Sequence, residues 1–307
     1  MDHQLSQIPF PFACQRWRDR RTCYRPAGET IRPADYEIHP ISMSEAKAFV
    51  TRHHYAHSYP SCRFRYGLFS NRLTNQHWQE NGLRPELVGV AVMSIPQHPA
   101  VLTNVFPGSP DDSTDLGRFI LLDTVPANGE TYFLARCREL LKKEGLIGMI
   151  AFSDDQPRII NNTLLFPGHQ GTIYQASVAV LLGRGAPKTL HLFSNGQSFE
   201  PRAISKLRKK KSGWEYASEL LIKHGADKPG RDTRAWVDYW LPRLTTSQAH
   251  PGNLKYAWSL HRSVVLPPSR PYPKAQYSSN ATPSFAQTVT PDSITSSSHR
   301  STLRRCT

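Results

Sequence analysis

The sequence predicts an α/β fold: one mixed sheet flanked by helices over residues 37–243, between a basic N-terminal arm at 1–36 and a disordered C-terminal tail at 244–307. Three observations carry this expectation. Apolar runs of strand length recur along the middle of the chain, bounded by polar turn residues. Two stretches between them place apolar residues at helical spacing, so strands and helices alternate as in a layered α/β core. Both ends lose this patterning. The last segment, rich in Pro, Ser and Thr, buries too little to offset its ordering entropy.

The elements follow in order. Glu37–Ile41 is a short extended start, and residues 44–54 read as a helix with Ser42 or Ser44 as its cap. Phe64–Phe69 and Glu86–Ile95 are strands joined by a polar connection, an antiparallel pair. Leu116–Asp123 is a third strand. Thr131–Glu144 is an amphipathic helix carrying Phe133, Leu134, Cys137, Leu140 and Leu141 on one side and stopped by Gly145. Leu146–Ser153 is a buried strand, Gly171–Leu182 a second helix ended by Gly183, and Thr189–Phe193 a last short strand.

Composition excludes several classes. No run approaches the ~18–20 apolar residues of a membrane span, and the N-terminus places its basic residues after its apolar ones, against a secretory signal. The five cysteines are scattered without a Cys-x-x-Cys pair, which reads as reduced thiols in a cytoplasm rather than a disulfide frame or zinc ribbon. With 38 Lys and Arg against 24 Asp and Glu, the net charge of +14 points to a polyanionic partner. The basic residues cluster at Arg16–Arg21 and at Arg202, Lys206, Arg208, Lys209, Lys210 and Lys211, as phosphate contacts require.

Four places offer chemistry. The strand–loop–helix from Leu116 to Glu144 puts Asn128, Gly129 and Thr131 at a helix N-terminus, whose free amides and dipole suit a pyrophosphate. Arg118, inside an apolar strand, must pair with a carboxylate or reach a ligand phosphate. The group Arg52-His-His-Tyr-Ala-His57, with Tyr59 and Tyr66, lacks the Glu of a His-Glu-x-x-His zinc site. Asp154 and Asp155 end a buried strand, where ligands gather in open α/β sheets; a base, a metal ligand and a turn cap are all open readings. His169 then precedes a helix that carries Tyr174 one turn in.

These motifs in series resemble a known family. His54-Tyr55, Tyr66-Gly67, Leu87-Val-Gly-Val-Ala91, Leu116-Gly-Arg-Phe-Ile-Leu-Leu-Asp123, Pro126-x-Asn-x-Glu-Thr131, Phe152-Ser-Asp154, His169-x-Gly-Thr-Ile-Tyr-Gln-Ala176 and Pro201-Arg-x-Ile-Ser-Lys206 are similar to the bacteriophage Mom DNA-modification proteins, divergent members of the GNAT acyltransferase superfamily, over about residues 37–226. The resemblance implies a GNAT-like fold and a phage or prophage enzyme of the bacterial cytoplasm. It implies conversion of the adenine N6 amine in double-stranded DNA to its carbamoylmethyl form, shielding phage DNA from host restriction, with acetyl-CoA or a related donor and an iron ion. Carried over, Arg118, Asn128, Gly129 and Thr131 meet the coenzyme. His54, Asp154 and Tyr174 are catalytic, and a metal lies among His54, Tyr66 and Asp154. Arg202, Lys206, Arg208, Lys209 and Lys210 contact DNA, with Tyr55, Tyr59, Trp214 and Trp236 available to stack on an everted base. The insert Asp155–Pro167 departs from the pattern and separates Asp154 from Tyr174. Two other readings fit the residues: a GNAT acyltransferase for a small amine or protein lysine, and a non-enzymatic DNA-binding accessory protein.

Overall fold

A computed structural model describes residues 14–18, 21–25, 29–54, 58–71, 85–96, 98–166 and 168–273. Within the expected arm, β1 (Cys14–Arg18) and β2 (Arg21–Arg25) form a hairpin. The arm's end is anchored: Ile31 N donates to Ala127 O at 2.9 Å, and Ala127 N to Glu29 O at 3.1 Å. β3 (Tyr36–Pro40) opens the main sheet, and α1 (Met43–His53) follows. Ser42 caps α1 with the reciprocal bonds of a capping box, its hydroxyl accepting from Glu45 N while Glu45 accepts from Ser42 N.

β4 (Cys62–Ser70), β5 (Glu86–Ser94), the short α2 (Ala100–Thr103) and β6 (Ser113–Leu121) come next. On β5, Ala91 and Met93 face one core with α3 (Gly129–Lys143), while Val90 and Val92 face another with α1. The strand is apolar without alternation because both faces are covered. α3 buries Phe133, Leu134, Cys137 and Leu141, the stripe its spacing predicts, and stops at Gly145, whose φ of +84° suits glycine.

β7 (Gly148–Ser153) leads into the insert, a small hairpin of β8 (Arg158–Ile160) and β9 (Thr163–Phe166). α4 (Thr172–Ala176) and β10 (Val180–Arg184) follow. After them come β11 (Lys188–Phe193), β12 (Ser198–Phe199), α5 (Pro201–Lys209), α6 (Glu215–Lys223), α7 (Thr233–Leu244), β13 (Thr245–His250) and β14 (Leu254–Ser259).

The main sheet has the order β10-β14-β7-β6-β5-β4-β3, and every neighbouring pair is antiparallel except β6 with β7. This is a mixed sheet flanked by helices, the α/β architecture that the sequence predicts. Residues 188–250 form an insertion between β10 and β14 with its own core, in which Phe193, Phe199, Leu207, Leu221 and Val237 are completely buried.

Three expectations need correction. The helix expected over 171–182 is one turn, after which Val178 turns the chain at a φ of +60° and Val180–Arg184 pairs with β14. A short run of Val and Leu satisfies helix and strand spacing equally, and tertiary pairing decides. The tail does not begin at 244, because Tyr256, Ala257 and Trp258 sit buried in β14 between β7 and β10. The Pro- and Ser-rich text that follows hides this strand when composition is averaged. The end of the expected arm also reaches the main core, through buried Tyr36 and half-buried Ile31, although most of residues 29–36 are exposed. Residues 274–307, Tyr55 and His57 lie outside the described residues.

Candidate active site

β6 and β7 pair only from Ser113↔Gly148 to Asp115↔Ile150. Beyond that point β7 keeps β14 as its partner, and the β6 edge from Leu116 onward turns away. A cleft of about 580 Å³ opens where the strands separate. His54, Asp115, Arg118, Asp154, His169 and Tyr174 all line it, and Lys188, Leu190 and Glu200 of the inserted module close one wall.

Each group is held differently. His54 ends α1, its amide donating to Val50 O. Arg118 is tied to the neighbouring loop: Nε donates to Ser58 O at 3.0 Å, Nη2 to Ser58 Oγ at 2.8 Å, and Nη1 to Gly117 O at 2.6 Å. Tyr174 is 8% exposed and packs against Tyr256 and Trp258 at ring separations of 5.4 and 5.6 Å. Gly171, at a φ of +70°, leaves no room for a Cβ, which would stand 2.8 Å from the Tyr174 ring. The loop before α4 is thereby pressed onto the tyrosine.

Asp154 is held on both of its oxygens. Oδ2 accepts from Arg158 at 2.8 Å, and Oδ1 accepts from His250 Nε2 at 2.9 Å and Gln156 N at 3.1 Å. Burial works to raise its pKa, but the bonds from His250 and Arg158 outweigh it and hold the carboxyl below the ordinary range. Asp154 is therefore a fixed anion with little basicity. The insert does not carry it away from Tyr174, because His169 N returns to Asp154 O at 2.7 Å. Burial lowers the His169 imidazole to about 4, against the pull of Asp154 and Asp155, so the ring is neutral at pH 7.

Tyr66 is not part of this cluster. It is 2% exposed in the main core, its hydroxyl has no hydrogen-bond partner among the described residues, and burial pushes its pKa up. The trio His54, Tyr66 and Asp154 does not fit a metal: one member points into the core, and another already has both oxygens engaged. Among the described residues no group of three His, Cys, Asp or Glu is placed to hold a metal ion.

The helix start at Asn128, Gly129 and Thr131 borders the cleft through Glu130, which lines it. Several loop amides there are already engaged, with Val125 N on Leu122 O, Ala127 N on Glu29 O, and Gly129 N on Pro126 O. Thr131 Oγ1 donates to Asn128 O at 3.0 Å.

On α5, Ala203, Ile204 and Leu207 face the module core, which turns Arg202 and Lys209 to solvent. Lys206 and Lys210 lie over Tyr216 and Trp214, 5.0 and 5.5 Å from the ring centres. Arg208 pairs with Asp238 at 2.8 Å, with both side chains nearly half exposed. Trp236 is 8% exposed and donates to Asp227, so it is a core residue and not a stacking platform. Tyr59 bonds Cys62.

Two residues of the site escaped the sequence reading. Asp115 stands just ahead of the strand expected from Leu116, so the spacing does not mark it as a charge inside a strand. His250 lay in text assigned to the tail, and no local signal marks it.

The comparisons with known proteins bear on this cleft. No curated protein matches the chain. The model of the Mom protein family matches residues 35–234, about two thirds of the chain. The chain belongs to the Mom protein family. The Mom match takes in α1, the splayed strands, α4 and the basic helix α5, and it stops before β13 and β14. In this Mom-family chain, His250 and the strand that closes the sheet against β7 therefore lie beyond the matched segment. One solved structure that matches is a tandem GNAT protein from the clavulanic acid biosynthesis pathway, determined without AcCoA. It is 10% identical over 74% of this chain and 99% of that one, at a TM-score of 0.38. No helix among the described residues is long and apolar enough to cross a membrane.

Proposed function

We propose that this Mom-family chain is a transferase that modifies the N6 amine of adenine in double-stranded DNA, giving the carbamoylmethyl form that protects phage DNA from restriction. The observation that carries this reading is the shared cleft. Arg118, His54 and Tyr174 meet where β6 and β7 part, and the wall they face includes Glu200 at the start of the basic helix α5. DNA phosphates tracked by Arg202, Lys206, Lys209 and Lys210 would bring an everted base to the mouth of that cleft, at an unstacking cost of a few kcal/mol.

Acetyl-CoA or a related donor has a place for its extended part along the β6 edge beyond Asp115, where strand pairing with β7 ends. Its phosphates belong at the start of α3, with Asn128, Gly129, Thr131 and Arg118. The positive end of that helix supplies the attraction, because the loop amides before it are already engaged. The N6 lone pair is delocalised into the purine, so the amine must lose its proton as the new bond forms, with the electrophile held close. Tyr174 supplies a proton to the departing group, His54 orients the acceptor, and Asp154 fixes the loop that carries His169.

Mass analysis of nucleosides from plasmid DNA made in cells expressing the chain tests this directly. Deoxyadenosine carrying a carbamoylmethyl group is the expected result; unaltered deoxyadenosine alongside folded protein would sink the reading. The basic helix gives a second test. Arg202→Ala and Lys209→Ala should each reduce the slope of log K against log salt by roughly one unit in DNA binding. Arg208→Ala should change it less, because Asp238 already neutralises that charge.

A further inference from the structure

We propose that Asp115 is the proton acceptor of the cleft, taking the N6 proton of the acceptor amine; this deepens the adenine-N6 reading and rests on it. Asp115 is the last β6 residue paired with β7, opposite Ile150, and it lines the cleft at the point where the strands part. Its Oδ2 accepts from Ser94 Oγ at 2.8 Å. Its Oδ1 is shielded from solvent and has no hydrogen-bond partner among the described residues.

Buried carboxylate oxygens are almost always bonded, so an unpartnered one at a cleft wall needs an explanation. An entering N–H donor supplies it. Asp154 differs in that both its oxygens are already engaged.

The surroundings suit the role. Burial pushes the Asp115 carboxyl up to about 6, while the Ser94 bond and the positive charges of Arg118 and Lys255 pull it down. Ser94 faces it from β5, Arg118 from its own strand and Lys255 from β14, while Ile150 on β7 brings no charge. A group of this kind is ionised at neutral pH yet more basic than an ordinary carboxylate, the compromise a general base requires.

The step balances with a related donor that already carries the carbamoyl group and has its leaving group on the methylene carbon; acetyl-CoA itself, whose leaving thiolate sits on the carbonyl carbon, would give the N6-acetyl amide. The nitrogen pair forms the N–C bond, the bond from that carbon to the leaving group breaks with its electrons on the leaving group, and the N6 proton passes to Asp115 Oδ1. Tyr174 protonates the leaving group.

Asp115→Asn keeps the shape and removes the base. In plasmid DNA from cells making the full chain, the modified nucleoside should fall at least 100-fold with Asp115→Asn, while DNA binding is unchanged. Retention within fivefold of the unsubstituted protein overturns the proposal. A readout independent of activity is the unfolding midpoint against pH, taken as the difference between the unsubstituted protein and Asp115→Asn. An acid whose pKa is raised by folding binds its proton more tightly when folded, so stability falls as pH rises from about 4 to about 6 and is then level. His169, lowered on folding, slopes the opposite way in an overlapping range, but both proteins share it and the difference cancels it. Ser94→Ala, which leaves Asp115 in place, should move the fall to higher pH. A flat difference curve overturns the proposal whatever the activity. If the unsubstituted protein leaves adenine unmodified, it is the adenine reading that has failed, and the pH difference alone then decides whether Asp115 is a base at this site.

Discussion

Tyr174→Phe is expected to lower formation of the modified nucleoside by about 10²–10⁴-fold, the usual contribution of a positioned acid. The substitution removes one oxygen and leaves the ring. The ring is what packs against Tyr256 and Trp258, so the fold should be kept. Near-ultraviolet circular dichroism should therefore match the unsubstituted protein while the nucleoside product is lost. Full activity with Phe would remove Tyr174 from the chemistry and leave it as core.

Asp154→Ala should cost about 3–5 kcal/mol of stability, the range seen when one partner of a buried ion pair is deleted. Arg158 would lose its carboxylate in a site where the two side chains are only 15% and 11% exposed. His250 would lose its acceptor as well. Its Nδ1 accepts from Gly252 N at 3.0 Å, so Nε2 must carry the hydrogen that Asp154 receives, and that side chain has no exposure to water. Urea unfolding measures the loss, and a change below about 1 kcal/mol would contradict the account. The effect also depends on pH in a defined direction. Asp154 has a folded pKa below its unfolded value, so its stabilisation is present above about 4 and is lost as pH falls through the folded value. The gap between the two proteins should narrow in acid.

Much of the architecture was readable from local pattern. The apolar stripe on α3 and its Gly145 stop, the Ser42 cap and the β4–β5 pair all rest on spacing within a few residues, and each is where that spacing puts it. The stretch 171–182 failed because its Val and Leu residues carry no period that separates helix from strand. β14 was missed because six strand residues stand beside a long polar segment. In the candidate site, Arg118, Asp154 and Tyr174 were singled out by oddity: a charge in an apolar strand, an acid at a strand end, a tyrosine one turn into a helix. Tyr66 joins the site only through the family resemblance, and strand alternation shows that a residue faces one side of the sheet, not which side holds the cleft.

The family resemblance, the basic cluster at 202–211 and the order of the long strands and helices from β3 to β7 rest on residue type and short-range spacing, and the amino-acid text alone contains them. The tertiary structure decides which groups meet. Asp154 finds His250 across 96 positions, and Asp115 faces the cleft only because β6 stops pairing with β7 at that residue while β7 stays paired with β14. The physical reason is that hydrogen bonds and burial act through space. Partners brought together by distant strand pairings leave no trace in the spacing of neighbours along the chain.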